Sequence, residues 1–203
     1  MWPSLVLASN VLKSPKAYQF IHAMIFGRRT IEPPGSESTK EPIIRFWRKH
    51  YNEAFQEHCL PNAEAEKIDE ILEETADETR YAFWDLSVTR EGLCSRDGKI
   101  ILINSRRFYG LLDLTGTPEL VLRKWLNIAV TLLHELMHAL SWRYCIDKMV
   151  LIGEMVFEND DVYSKDEAGE VGWAFERFVF GRVRIDERMT DTDVLKFYNQ
   201  YLP

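Results

Sequence analysis

Thirteen residues, 128–140, read IAVTLLHELMHAL and constrain the chain more than any other stretch. On a helix, His134 and His138 lie four residues apart, one above the other on one face. Two imidazoles so disposed can bind one metal ion, and Glu135 can reach toward a water held on that ion. Nitrogen and carboxylate donors suit Zn²⁺ in an open tetrahedral site. The HExxH spacing is the signature of a zinc-dependent hydrolytic centre, with the glutamate as general base. The plain alternative is two surface histidines beside a solvated glutamate. The Ala, Val, Leu and Met flanks argue against it, because a buried helix does not carry three ionisable groups in two turns without a task for them.

The 203 residues suffice for one domain with a proper core. A formal charge of -7 speaks against a nucleic-acid partner. Cys59, Cys94 and Cys145 are scattered without ligand spacing, which fits a reducing, cytoplasmic setting better than a disulfide framework. The opening MWPSLVLASNVLKSPK has no basic residue before its apolar run. The run is too short and interrupted to span a membrane, so neither a secretory signal nor a membrane partner is expected.

Along the chain, residues 14–26 predict a helix with Pro15 in its first turn and Gly27 closing it. His22 reads as a half-buried residue rather than a ligand. Residues 27–42, with Pro-Pro-Gly, read as a loop. Apolar residues at 43, 46, 47, 51, 54 and 55 predict a helix over 43–59, with His50 and His58 on its polar side. A charged helix follows over 62–81, on Ile68, Ile71 and Leu72. Asp97-Gly98 marks a turn, and a hairpin is expected from residues near 85–90 and 99–104. A short helix is expected near 106–114. Thr117-Pro118-Glu119 starts the motif helix, which should run to about Tyr144 as the longest in the protein. Residues 146–168 read as irregular, 170–180 as a helix, 183–185 as a brief strand and 191–201 as a terminal helix or tail.

Two histidines do not complete a zinc site, and no histidine follows His138. The third ligand should be a downstream carboxylate. Glu170 is favoured, since it opens a helix able to cross the motif helix, with Gly172 permitting close approach. Glu176 lies about 120° around that helix from Glu170, so the two do not serve one ion. Glu176 is either the ligand itself or a partner to a ligating histidine. Glu158, 20 positions after His138, is the third candidate. Tyr163, Arg177 and Arg182 are candidate donors to an oxyanion.

A strand, a long HExxH helix and a later helix with an acid resemble the zincin metallopeptidases, in their glutamate-ligand branch, the gluzincins. The likeness covers about 100–185. INSRRF, AVTLLHELMHAL and EVGWAFERFVFG are also similar to small uncharacterised fungal proteins carrying HExxH and E-x-G-x-x-x-E. The fixed Asp partner of longer gluzincin motifs is absent at Glu158 and Glu170. The resemblance implies a minimal zincin-like domain, α+β and mostly helical, with a small antiparallel sheet packed on the motif helix. It also implies a substrate peptide along the strand at 100–104. A single domain over 1–203 is expected, with a helical part to about 82 and a metal-site core over about 83–185. The function expected is a zinc-dependent hydrolase, foremost a metallopeptidase in which Glu135 is base to a zinc-activated water. A zinc enzyme acting on a small metabolite and a non-catalytic zincin-derived binding protein are the alternatives.

Overall fold

The computed structural model describes residues 2–26, 29–32, 43–46, 60–106, 118–145, 155–157 and 171–180. Among them the fold is α+β and mostly helical. Its helices are α1 (Trp2–Leu12), α2 (Pro15–Phe26), α3 (Asn62–Glu78), α4 (Pro118–Leu140) and α5 (Val171–Phe180). Its strands are β1 (Arg29–Glu32), β2 (Ile43–Phe46), β3 (Arg80–Trp84), β4 (Gly92–Cys94), β5 (Ile100–Asn104) and β6 (Met155–Phe157).

The 23-residue α4 is the longest described element and the one on which the others pack. Pro118 and Glu119 suit its first turn, where a missing N–H and a negative charge are both favourable. Over its second half the burial is nearly continuous, from Ile128 through Leu133 and from Glu135 through Met137. A helix apolar on all sides must be covered on all sides. Here α1, α5 and the strands β4 and β5 supply the cover. After Leu140 the backbone widens into a π-helical turn, Ser141–Cys145, so the helical path ends close to the expected Tyr144. The Cys145 thiol fixes that turn by donating to the Met24 carbonyl at 3.2 Å.

The start of the chain is a helix, α1, that burial explains and local signals did not announce. Leu7, Ala8 and Val11 are buried, and the Ser4 hydroxyl donates to the Trp125 carbonyl at 2.9 Å. At α2 the expectation holds: Ser14 caps the helix by accepting from the Ala17 N–H at 3.3 Å, with Pro15 in the first turn. Phe20 on α2 meets Phe175 on α5 edge-on, centroids 5.3 Å apart. His22 is half-buried and sits 3.2 Å from the Glu64 carboxylate of α3, a packing role as expected. On α3 the acidic face is exposed as expected, and two of its carboxylates find partners: Glu78 pairs with Arg143 at 2.6 Å, and Glu74 accepts from the Tyr144 hydroxyl at 2.9 Å.

Several expected elements need correction. The helix over 62–81 stops at Glu78, because Thr79 turns extended and its hydroxyl donates to the Gly98 carbonyl at 3.1 Å. Arg80–Trp84 then forms β3, parallel to β5, so the sheet is mixed rather than antiparallel, in the order β3-β5-β4. The hairpin arm opposite β5 is 92–94, not 85–90. The turn dictates this: Gly98 adopts φ 68°, and the Ser95 N–H donates to the Ile100 carbonyl at 2.8 Å, which leaves the arm directly before Ser95 to pair. A second sheet, in the order β1-β2-β6, joins segments read as a loop (27–42), the start of a helix (43–59) and an irregular connection (146–168). The run Ile43–Phe46 is short enough to fit either period, and pairing with distant β6 decides for a strand. The expected helices near 106–114 and 191–201, and the strand at 183–185, lie essentially outside the described residues. No described helix is long and apolar enough to cross a membrane.

Phe175 carries the joint between α2 and α5 and is fully buried. Phe175→Ala should cost about 3–5 kcal/mol and lower the thermal midpoint by about 10 °C, followed by circular dichroism. A loss below about 1 kcal/mol would show that the aromatic contact does not hold α5 in place.

Candidate metal centre

Near the C-terminal end of α4, His134 and His138 stand one turn apart with ring centroids 5.2 Å from each other. Helix α5 packs against α4 at this level. The reason it can do so is Gly172. A Cβ there would lie 2.5 Å from the His134 ring, a distance no real methyl tolerates. Close helix approach at Gly172, expected from the sequence, is thus observed, and what it approaches is the first motif histidine.

One turn further along α5 the same face presents Glu176. Its Oε1 lies 2.8 Å from His134 Nδ1. The carboxylate is buried, with Glu176 only 5% exposed. An ionised carboxylate only accepts, so Nδ1 carries the proton and donates; in the neutral imidazole it is then Nε2 that has the lone pair. This is the arrangement by which an outer carboxylate fixes the tautomer and heading of a metal-binding histidine. Of the two roles weighed for Glu176, partner to a histidine is the one its geometry matches. Trp173 adds an edge-on ring 6.4 Å from His134.

Glu135 lies about 100° around α4 from His134 and faces the sheet instead of α5. It is 6% exposed. Its carboxylate rests on the backbone of β4: a Cβ at Gly92 would be 2.7 Å from both Cγ and Oε1. Cys94, two residues along β4, is a poor nucleophile or ligand. Burial first, then the nearby Glu135 and Asp97 carboxylates, push its thiol up to about 12.

The strand at 100–104, expected as a substrate-bearing edge, is β5, and it lies between β3 and β4. That expectation is corrected: among the described residues the edge beside Glu135 is β4. The Asn104 N–H donates to the Glu91 carbonyl and the Ser95 N–H to the Ile100 carbonyl, both at 2.8 Å. Antiparallel pairing alternates, so Gly92 and Cys94 direct their peptide groups away from β5. The bend entering β4 is tied by Asn104, whose side-chain amide donates to the Ser87 and Arg90 carbonyls at 3.1 and 2.7 Å.

Of the candidate residues, His134, Glu135, His138 and Glu176 are brought together around the end of α4. Glu170, the favoured third ligand, and Glu158 lie outside the described residues, as do Tyr163 and Arg182; Arg177 lies on α5. Among the described residues no group of three or more His, Cys, Asp or Glu is disposed to share an ion. The donor chemistry nonetheless fits zinc: two imidazoles one turn apart, the first with Nδ1 engaged by a buried carboxylate. Gly92 and Asn104 were missed by sequence reasoning. A glycine within a strand was the available signal for close approach.

No protein-family model matches the chain, and no curated protein or solved structure is significantly similar to it.

If Glu176 orients His134 for a metal, Glu176→Gln should lower zinc affinity about 10–100-fold, measured by competition with a chromophoric chelator, while the circular dichroism spectrum stays native. Unchanged affinity would reduce the His134–Glu176 bond to a packing contact.

Proposed function

We propose that the chain is a zinc-dependent hydrolase that cleaves peptide bonds, with Glu135 as general base. The observation that carries the reading is the buried Glu176 carboxylate on His134 Nδ1, which turns the motif from a string of letters into an oriented donor. His134 and His138 would hold the ion, with Glu170 as the favoured third ligand. When bound, Zn²⁺ lowers the pKa of water to near neutrality and polarises a carbonyl.

The chain's own residues supply the rest. Glu176 keeps the Nδ1 proton on His134, which leaves Nε2 to donate. Glu135 accepts the proton of the attacking water and returns it to the departing nitrogen. Its burial against β4 limits the water that would compete for that proton. The outward peptide groups of Gly92 and Cys94 give an extended substrate main-chain partners next to Glu135, which favours a peptide over a compact metabolite. The three scattered cysteines of the sequence fit a reducing, cytoplasmic setting.

The test is zinc content together with digestion of fluorescein-labelled casein by wild type and Glu135→Gln. The variant should retain zinc and lose about 100- to 10,000-fold in rate. Full activity in the variant would rule out Glu135 as the base. Casein left intact by a zinc-loaded wild type that hydrolyses small esters would move the substrate to small metabolites.

A further inference from the structure

Glu135 is confined by a side chain that is not there. On β4, Gly92 faces α4, and any Cβ at that position would lie 2.7 Å from Glu135 Cγ, 2.7 Å from Oε1 and 2.9 Å from Cδ. The clash is with the stem of the side chain as well as its tip, so a small swing of the carboxylate does not relieve it.

The backbone does not ask for glycine here. Among the described glycines only Gly98 has a positive φ, so the conformation at 92 is one that any L-residue adopts. Glycine weakens a strand, and a β-branched residue would be the ordinary choice. Nor can the two elements part to make room. β4 is bonded to β5 on both sides of Gly92, through the Glu91–Asn104 and Ser95–Ile100 pairs. The Asn104 amide holds the bend before it. On its other flank, α4 is already in contact with α5 at Gly172. A methyl group at 92 is therefore accommodated only by moving Glu135.

We propose that Gly92 is a positioning residue for Glu135: by leaving the α4-facing side of β4 bare, it sets the depth and heading of the carboxylate. The part that concerns catalysis rests on the reading of Glu135 as general base. The part that concerns geometry does not.

A thermal double-mutant cycle separates the two. Wild type, Gly92→Ala, Glu135→Ala and the double variant are melted side by side. Gly92→Ala should lower the midpoint by about 3–8 °C when Glu135 is present. In the Glu135→Ala background the same change should cost less than about 1 °C, because the methyl enters the vacated space. Equal losses in both backgrounds, including failure of both Gly92→Ala proteins to fold, would overturn the proposal. On labelled casein, zinc-loaded Gly92→Ala should lose about 10–100-fold in kcat with KM and zinc content unchanged. An unchanged kcat would overturn Gly92 as a positioning residue for catalysis. No casein cleavage by wild type would instead count against the peptidase reading, with the melting cycle still deciding the role of Gly92.

Discussion

The bond from Glu176 to His134 Nδ1 is the interaction on which the rest of the structure turns. It joins residues 42 positions apart, on two helices whose close approach at His134 needs the missing side chain of Gly172. Burying a carboxylate is unfavourable unless a donor meets it. Here the donor is an imidazole N–H, and each group supplies the partner that makes the other tolerable. Removing either would take from the other the partner it is buried against. The apolar contact of Phe20 with Phe175 brings α5 to the depth at which this exchange is possible.

Two glycines bound the motif, one on each side. Gly172 brings α5 onto His134, and Gly92 brings β4 onto Glu135. Packing at closed density transmits position, so a helix gripped this way has little freedom to turn about its axis. The histidines and the glutamate are then presented to different neighbours: imidazole to a helix carrying an acid, carboxylate to the edge of a mixed sheet. The proposed metal-assisted hydrolase would use such a division, with one face to hold the ion and an adjoining one to handle the proton and the substrate backbone.

What was legible in the sequence follows from where the signals were local. Ser14-Pro15 and Pro118-Glu119 mark helix starts through groups within one turn, and both helices form as expected. The shared face of His134 and His138 was readable because four-residue spacing alone sets it, whereas the heading of Glu135 depends on β4. The strands were harder. β2 and β6 pair across more than a hundred residues, and β3 runs parallel to β5, a relation no short window encodes. The edge beside Glu135 was misassigned for the same reason, since β4 has only three residues and its place depends on the Asp97-Gly98 turn. Gly172 was anticipated from its place beside a candidate ligand. Gly92 was not, because nothing near it in the chain shows what it faces.

Zinc K-edge X-ray absorption on protein loaded with a stoichiometric amount of zinc tests the central claim most directly. A shell of nitrogen and oxygen donors with the multiple-scattering pattern of two imidazoles is the expected result, reduced to one imidazole in His138→Ala. A spectrum without imidazole scattering, or one dominated by sulfur, would contradict a metal held by His134 and His138.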